Sequence, residues 1–575
     1  MDEKRTTMWA GLAGLIVLGL TLFLADRMFK GLRFDRESTG LGPNGDSLAM
    51  PPHPQKSASP SNEIAVPFTN LLLDLLKAKL EGLGAIPNEV LVRFRDDDGY
   101  RAFLARANSL GLKVLDSMDG LRAVRVGYSN LNDLYNDYLA NRDDYGEVGA
   151  NYQVNIPGIP ENRQAQIEIP FGAGALGWLG INGDTSLWGD GITIAILDSG
   201  VQPHATFAEN RVRSIDFSGS VEASDGAAVS DGEEGHGTAV ASIAAGDNPN
   251  AQGVAPAADI LSIKITGADG MSDSFTLAKA IIEAVDQGAD VINVSLGSYG
   301  DSSLVRDAVA YATAAGKVVV AAAGNDTYSD LAFPARYEDV ISVGAVDAEG
   351  QQLSFSNSGE GLDLTAPGLD VVAAWPGDLL INFSGTSASA PFVSGSIAAL
   401  MSIYPGTTAI EAAQMLATYS NEAGALGADP AFGQGILDVG RVVQNDTPGI
   451  TDVAVASHYV DLANIPEDEL PMVDILIENR GTTIVNGATL KVDSDNNSRS
   501  YALPALDPGE VIVRQFPIDL RLGETQGDLT FSSELSLPGG QDFTPSDNAR
   551  TSVILFNDPA TDAASAEASV GVSGS

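Results

Sequence analysis

Apolar residues in the middle of the chain form short continuous runs that alternate with helical patterns. The runs ITIAILD, DILSIKI, ADVINVSL, KVVVAAAGN and VISVGAV, between residues 192 and 346, predict buried strands. The intervening stretches TAVASIAAG, FTLAKAIIEAVDQG and SLVRDAVAYATAAG have helical spacing. Continuous apolar strands joined by helices indicate a mainly parallel sheet covered on both faces. We therefore expect an α/β domain over residues 170–446, with ligands bound beyond the carboxyl ends of its strands.

The pattern before this domain predicts a small α+β module over residues 86–152. A strand (EVLVRF), a helix (GYRAFLARANSLG), two strands (LKVLDSM and LRAVRV) and a second helix near Asn130–Ala140 follow one another. Residues 68–85 precede the module and have the apolar spacing of a further helix. No residue of the module looks catalytic. On its own, the pattern is typical of a regulatory or binding domain.

Short alternating strands replace the βα pattern after residue 446. Seven such strands lie within residues 447–556, with turns at Asn-Arg-Gly, Asp-Pro-Gly and Pro-Gly-Gly. This alternation predicts an all-β sandwich. The small and polar residues 557–575 predict a disordered tail.

Residues 8–25 (MWAGLAGLIVLGLTLFLA) form an uncharged apolar run near the amino terminus. The run is just long enough for a membrane helix and is not followed by a small-x-small cleavage pattern. We favour a signal anchor over a cleaved signal peptide for residues 1–30, and a flexible linker for the Gly-, Pro- and Ser-rich residues 31–67. Basic residues follow the run more densely than they precede it, so the positive-inside rule alone would leave the protein body in the cytoplasm.

Length and charge narrow the possible functions. A chain of 575 residues is too long for one core and indicates several domains. Its 76 acidic residues outnumber 32 basic ones, so the body should repel nucleic acid, which we exclude as a partner. The chain has no cysteine, which rules out disulfides, thiol nucleophiles and cysteine–metal sites.

Four polar residues lie where the predicted parallel sheet would bring them to one cleft. Asp198 and Asn325 end predicted strands, His236 begins a helix between two glycines, and Ser387 precedes a helix predicted from about Ala390 to Tyr404. Each residue alone is typical of a turn or a helix cap. Together they offer a nucleophile, a base, an orienting acid and an amide donor.

The motifs around these residues resemble the signatures of the subtilases, the subtilisin-like serine proteases. They are ILDSGV at 196–201, HGTAV at 236–240 and GTSASAP at 385–391, in the family order Asp, His, Ser. The resemblance implies a serine endopeptidase in which Ser387 attacks the peptide carbonyl and His236 moves the proton. It also implies that Asp198 orients the histidine and that Asn325 and the Ser387 backbone N–H bind the oxyanion. No cofactor is implied for the chemistry.

The resemblance also implies that a peptide or protein substrate binds as an added strand. The substrate-binding residues would be Ser295, Leu296 and Gly297 on one side of the primary pocket, and Ala323 and Gly324 on the other. One structural calcium site is left open, formed by the Asp363 carboxylate with the carbonyls of Ala335 and Tyr337.

The flanking modules extend the resemblance. Residues 86–152 are similar to a subtilase propeptide, a chaperone that then occupies the cleft in cis and is released by a cut between about Tyr152 and Ala175. The C-terminal sandwich resembles the immunoglobulin-like CARDB domains of bacterial adhesion proteins, which implies a cell-surface partner. Because subtilases are usually exported, we expect the catalytic domain outside the cytoplasm, anchored through residues 8–25 or secreted if that segment is cleaved. The alternative is a catalytically inactive surface protein that binds peptides or mediates adhesion.

Overall fold

The computed structural model describes residues 79–159, 168–208, 211–219, 235–267, 269–461, 471–494, 497–518, 529–539, 541–554 and 570–571. Contacts divide the chain into two units, Met1–Leu83 and Gly84–Ser575. In the first unit residues 79–83 are described, and residues 79–82 are helical. The predicted membrane segment, the linker and most of the predicted helix 68–85 therefore lie outside the described residues. So does the predicted tail, apart from the short strand Val570–Gly571.

The second unit begins with an antiparallel sheet and two helices, which we call the N-terminal module. A buried aromatic cluster that includes Phe94 and Tyr145 forms its core. The first helix begins after Asp96, whose side chain accepts a hydrogen bond from the Gly99 backbone N–H at 2.8 Å. The elements are β1 (Ala85–Phe94), α1 (Asp97–Arg106), a 3₁₀ turn (Ala107–Leu110), β2 (Leu112–Met118), β3 (Ala123–Tyr128), α2 (Leu131–Ala140) and β4 (Tyr145–Asn155).

The sequence pattern did not predict strand β4. Gly146 and Gly149 interrupt its apolar alternation, so the strand depends on its neighbours in the sheet. It pairs antiparallel with β1 along one edge. The strands of the module are arranged in the order β4-β1-β3-β2.

The second module is built on a seven-stranded sheet whose neighbouring strands are all parallel, as predicted. Its strands and the short strands beside it are β5 (Thr193–Asp198), β6 (Val212–Asp216), β7 (Asp247–Asn248), β8 (Ala251–Gln252), β9 (Asp259–Lys264), β10 (Met271–Asp273), β11 (Val291–Val294), β12 (Val318–Ala322), β13 (Val340–Val346), β14 (Leu364–Pro367), β15 (Val371–Trp375) and β16 (Leu379–Phe383). The order in the sheet is β14-β13-β12-β11-β5-β9-β6. The pattern missed the two outermost strands, because β6 is largely exposed and the short β14 contains Thr365 and ends in Pro367, which interrupt an apolar run.

Helices cover both faces of this sheet. The helices are α3 (Ala175–Trp178), α4 (His236–Ala245), α5 (Ser274–Asp286), α6 (Ser303–Ala314), α7 (Thr386–Ile403), α8 (Ala409–Thr418) and α9 (Val439–Gln444). Helices α4 and α7 share the hydrophobic core on one face, and α5 and α6 share the core on the other. A Cβ atom on Gly395 of α7 would lie 2.7 Å from the Ala244 carbonyl oxygen, so this glycine allows the two helices to touch.

Helix α7 begins at Thr386, four residues before the predicted start near Ala390. The difference follows from Pro391, which lies inside the helix and has no N–H for the carbonyl of Ser387. That carbonyl instead accepts a hydrogen bond from the Ser295 hydroxyl at 3.3 Å. Among the described helices, α7 alone is long and apolar enough to cross a membrane, but 83% of that stretch is buried inside the fold. Its burial is that of a core helix.

All seven strands predicted after residue 446 are present and form two antiparallel sheets, which we call the C-terminal module. The strands are β17 (Val453–Tyr459), β18 (Met472–Asn479), β19 (Thr489–Ser494), β20 (Asn497–Ala502), β21 (Val511–Pro517), β22 (Leu529–Ser536), β23 (Ala549–Ile554) and β24 (Val570–Gly571). One sheet has the order β17-β18-β21 and the other β20-β19-β22-β23-β24. Side chains from both sheets meet in one core, with Phe516 from the first and Phe531 from the second.

Candidate active site

Asp198 and His236 form a buried hydrogen-bonded pair at the carboxyl end of the parallel sheet. Asp198 is the last residue of β5, and His236 is the first residue of α4. The His236 Nδ1 atom lies 2.8 Å from Asp198 Oδ1 and 3.0 Å from Oδ2. Because an ionised carboxylate only accepts hydrogen bonds, Nδ1 carries the proton. The Nε2 lone pair is then free to accept another proton.

Close packing around His236 explains the glycines on both sides of it. A Cβ atom on Gly235 would lie 2.4 Å from the Trp375 ring, and one on Gly237 would lie 2.6 Å from the Gly200 carbonyl oxygen. The ring of Phe383 meets the imidazole edge-on, with centroids 5.1 Å apart. Sequence reasoning missed Phe383, whose only signal was its position four residues before Ser387.

His204, the other histidine of this module, does not join the site. Its Nε2 atom lies 3.1 Å from the Leu379 carbonyl oxygen, and its Nδ1 atom accepts a hydrogen bond from the Thr206 backbone N–H at 3.0 Å. Both ring nitrogens are therefore engaged in local contacts with the surrounding loops, as expected of a structural residue.

Ser387 is the second residue of α7 and is buried. Its hydroxyl donates a hydrogen bond to the Ser295 carbonyl oxygen at 3.2 Å rather than to His236. Since the Ser295 hydroxyl also donates to the Ser387 carbonyl, two hydrogen bonds join these residues in opposite directions. To pass its proton to His236, the Ser387 hydroxyl must first leave the Ser295 carbonyl.

Asn325 follows β12 and points its amide nitrogen into the cleft. Its side-chain oxygen accepts hydrogen bonds from the Thr386 backbone N–H at 2.9 Å and the Thr386 hydroxyl at 2.8 Å. These two donors fix the amide orientation, so that Nδ2 is the atom that faces the cleft. Nδ2 donates to the Pro157 carbonyl oxygen at 3.1 Å. This is the geometry of a donor that can stabilise an oxyanion.

The end of β4 and the residues that follow it occupy the cleft as an added strand. Asn155 and Gly297 exchange two backbone hydrogen bonds, each 2.9 Å long. On its other side β4 pairs antiparallel with β10. Beyond the Asn325 contact, Ile159 packs against a small cluster that includes Phe355. Of the predicted substrate-binding segment 295–297, Gly297 thus pairs with a peptide strand that belongs to this chain.

The predicted second wall of the primary pocket, Ala323 and Gly324, contacts two residues that sequence reasoning missed. The Asn357 side chain donates to the Ala323 carbonyl oxygen at 3.2 Å and to the Tyr299 hydroxyl at 2.7 Å. A Cβ atom on Gly324 would lie 2.4 Å from the Asn357 amide nitrogen and 3.1 Å from the Tyr299 hydroxyl. Asn357 and Tyr299 therefore close this side of the pocket.

The residues expected to bind calcium have oxygen atoms of the right kind but make other contacts. Asp363 Oδ2 accepts hydrogen bonds from the Ser342 backbone N–H at 2.8 Å and from its hydroxyl at 2.9 Å. Burial raises the pKa of Asp363. The Tyr337 carbonyl accepts a hydrogen bond from the Val340 N–H, and Ala335 is buried. Within the described residues, none of these contacts joins Asp363 to Ala335 or Tyr337, so the calcium site stays a prediction.

Comparisons with known proteins show the family and the fold of the parallel-sheet module. Residues 189–435 match the family model described as Subtilase family. Subtilisin BL of Lederbergia lenta is 35% identical over 254 residues, which cover 44% of this chain and 90% of that protein. Alkaline elastase YaB of Bacillus sp. (strain YaB) is 36% identical over 252 residues, 44% of this chain and 64% of that protein. The crystal structure of the epidermin leader peptide processing serine protease from Staphylococcus aureus shares the fold at 20% identity, with a TM-score of 0.50 over 63% of this chain and 99% of that one.

Proposed function

This chain belongs to the subtilase family, and from that premise we propose that it is an endopeptidase that uses Asp198, His236 and Ser387 to hydrolyse peptide bonds in proteins or peptides. The observation that carries the proposal is the buried Asp198–His236 hydrogen bond, in the cleft where the Asn325 amide meets a peptide carbonyl. Alkaline proteases are among the relatives that this chain resembles.

In the proposed reaction the Ser387 hydroxyl attacks the substrate carbonyl carbon while His236 Nε2 accepts the hydroxyl proton. Asp198 keeps the imidazole in the required tautomer and stabilises its cation. The Asn325 amide and the Ser387 backbone N–H stabilise the negative oxygen that forms. His236 then gives the proton to the leaving amine, and water hydrolyses the acyl-enzyme ester.

We also propose that the protein is made as a zymogen. The N-terminal module would act as the propeptide, since its last strand lies in the cleft. Polar contacts support this role: the Asn151 side-chain oxygen accepts hydrogen bonds from the Ser274 hydroxyl and the Phe275 backbone N–H at the start of α5.

Three further parts of the proposal rest on the sequence. The segment 8–25 would anchor the protein in the cell membrane with the catalytic domain outside the cytoplasm, or the protein would be secreted if that segment is cleaved. The C-terminal module would be an immunoglobulin-like domain with a cell-surface partner. Calcium at Asp363 would be structural, and chelation should then lower the melting temperature.

The second candidate function is a catalytically inactive protein that binds peptides at the cell surface or mediates adhesion. One observation favours it: the Ser387 hydroxyl is hydrogen-bonded to Ser295 and not to His236. The intact set of Asp198, His236 and Asn325 around the cleft argues for the enzyme.

A serine-directed fluorophosphonate probe separates the two candidates. We expect covalent labelling of the wild-type chain and no labelling of Ser387→Ala. A Tm measurement on this variant checks that it is folded. Asn325→Ala should still be labelled, but its turnover of a casein substrate should fall by about 10²–10³, the range known for this change in subtilisin itself. A folded wild-type protein without labelling or turnover would favour the binding protein.

A further inference from the structure

The peptide bond between Pro157 and Gly158 lies where a substrate bond would be cut. The backbone of residues 155–159 runs through the cleft, with contacts at Asn155, Pro157 and Ile159. Within this stretch, the carbonyl oxygen that meets the Asn325 amide is that of Pro157, at 3.1 Å. Since the oxyanion would form on the carbonyl that faces the Asn325 amide, Ser387 would attack the carbonyl carbon of Pro157.

A proline at this position cannot complete the backbone pairing of the bound strand. In an antiparallel ladder, hydrogen-bonded pairs recur every second residue along each strand. Asn155 pairs with Gly297, so residue 157 falls opposite Ser295. Any other amino acid at 157 would offer its N–H to the Ser295 carbonyl, but Pro157 has no N–H.

The Ser295 carbonyl that lacks this partner holds the nucleophile instead. It accepts the hydrogen bond from the Ser387 hydroxyl at 3.2 Å. That hydrogen bond must break before the hydroxyl can give its proton to His236. The missing N–H at 157 therefore acts twice: it removes a contact that would hold the strand during attack, and it leaves the carbonyl to compete for the hydroxyl.

We propose that Pro157–Gly158 is the bond cut in self-processing and that Pro157 slows the cut. The inference rests on the proposed function. In the cut, Ser387 Oγ bonds to the Pro157 carbonyl carbon and its proton moves to His236. The C–N bond to Gly158 breaks as His236 returns the proton to that nitrogen. Water then hydrolyses the ester, which leaves a carboxylate on Pro157 and a new amino terminus at Gly158.

The main test follows self-cleavage of the full chain after refolding from denaturant, by gel and by mass spectrometry of the products. We expect wild type to yield an amino terminus at Gly158 slowly, at a rate independent of protein concentration. Pro157→Ala introduces one N–H donor and should be cut at the same bond about tenfold faster, which corresponds to about 1.4 kcal/mol and lies within the range of a net hydrogen bond. The matched control Pro87→Ala changes an exposed proline of the same module and should process like wild type.

A second measurement covers the case in which Pro157→Ala folds poorly. The processed enzyme is given two synthetic peptides, YQVNIPGI and YQVNIAGI, and kcat/KM should be about tenfold higher for the alanine peptide. Equal rates for the two peptides, equal self-cleavage of wild type and Pro157→Ala, or an amino terminus other than Gly158 would each overturn the inference. If the probe labels Ser387 in these outcomes, the proposed function survives. Without labelling, both fail.

Discussion

The parallel-sheet module contacts its two neighbours in different ways. Towards the N-terminal module it uses a paired strand, a shared apolar core that includes Met118 and Val154, and ion pairs that water partly reaches, such as Arg125–Asp273 at 2.8 Å and Lys279–Asp116 at 2.9 Å. The side chains of the second pair are 30% and 40% exposed. Towards the C-terminal module it uses a buried network centred on Glu478.

Glu478 of β18 is only 4% exposed and is held between two guanidinium groups. Its Oε1 atom lies 2.6 Å from Arg441 of α9, and its Oε2 atom lies 3.0 Å from Arg480. Burial alone would raise the pKa of Glu478, but the two arginines outweigh it and hold that pKa below its ordinary value. The Glu422 backbone N–H also donates to this carboxylate, at 3.1 Å.

The two contacts differ in how much free energy is needed to separate them. A buried ion network is costly to open, because any partner left alone is a charge without solvent. Salt weakens the partly exposed ion pairs of the N-terminal contact, which separate at lower cost, although the shared apolar core must also be uncovered. We infer that the C-terminal contact is permanent, whereas the N-terminal contact suits a module that leaves after processing.

The largest predicted effect is at the permanent contact. Glu478→Ala leaves Arg441 and Arg480 buried without their shared anion, and should reduce the free energy of unfolding of the C-terminal module by about 3–5 kcal/mol. The measurement is thermal and denaturant unfolding in a Ser387→Ala background, which prevents self-digestion during the scan.

Glu534→Ala is the matched control for this change. Glu534 is exposed on β22 of the same module, so its removal should change stability by no more than about 0.5 kcal/mol. If Glu478→Ala were as mild as the control, the buried network would not be what joins the two modules.

A smaller effect is predicted at the separable contact. Arg125 donates to Asp273 at 2.8 Å and also to Glu89 within its own module. Arg125→Met keeps the apolar stem but removes both charge contacts, and should release the N-terminal module from the processed enzyme about tenfold faster. The onset of peptidase activity after self-cleavage reports the release.

Salt and a second arginine sharpen this test. Raising NaCl from about 0.05 to 0.5 M should speed release in wild type and have less effect in Arg125→Met, since the screened pair is already absent. Arg101→Met changes an exposed arginine of the same module and should behave like wild type. Release that depends on neither salt nor Arg125 would mean that the paired strand and the shared apolar core hold the module without help from the ion pairs.

The sequence predicted the elements whose stability is local or whose burial is complete. Strands β5, β9, β11, β12 and β13 were predicted because both faces of the sheet are covered, which leaves a continuous apolar run. Strand β4 was missed because partners far away in the chain hold it in place. Its pairing with β10 joins residues more than a hundred positions apart, and no local pattern encodes such a contact.

The same limit applies to the candidate site. Asp198 and His236 could be chosen because a strand end and flanking glycines mark them, and the structure brings them into hydrogen-bond contact. The contact of Asn325 with Pro157 could not be predicted, since it depends on where β4 docks. Tyr299 and Asn357 carry no motif and gain their place from the packing around Gly324.

The smallest predicted effect is a pH dependence at the edge of the permanent contact. Burial raises the pKa of Glu422 to about 7, and the nearby charge of Glu478 adds to the shift. Because the folded pKa lies above the unfolded one, Glu422 stabilises the fold below about pH 4.5 and this contribution is lost as the pH rises through 7. Between pH 5 and pH 8, wild type should therefore lose about 1 kcal/mol more of its free energy of unfolding than Glu422→Gln does, after allowance for solvent screening at this half-buried site. Glu360 is exposed, so the control Glu360→Gln should leave the pH profile of Tm unchanged. If wild type and Glu422→Gln had identical profiles, a group other than Glu422 would cause the pH dependence.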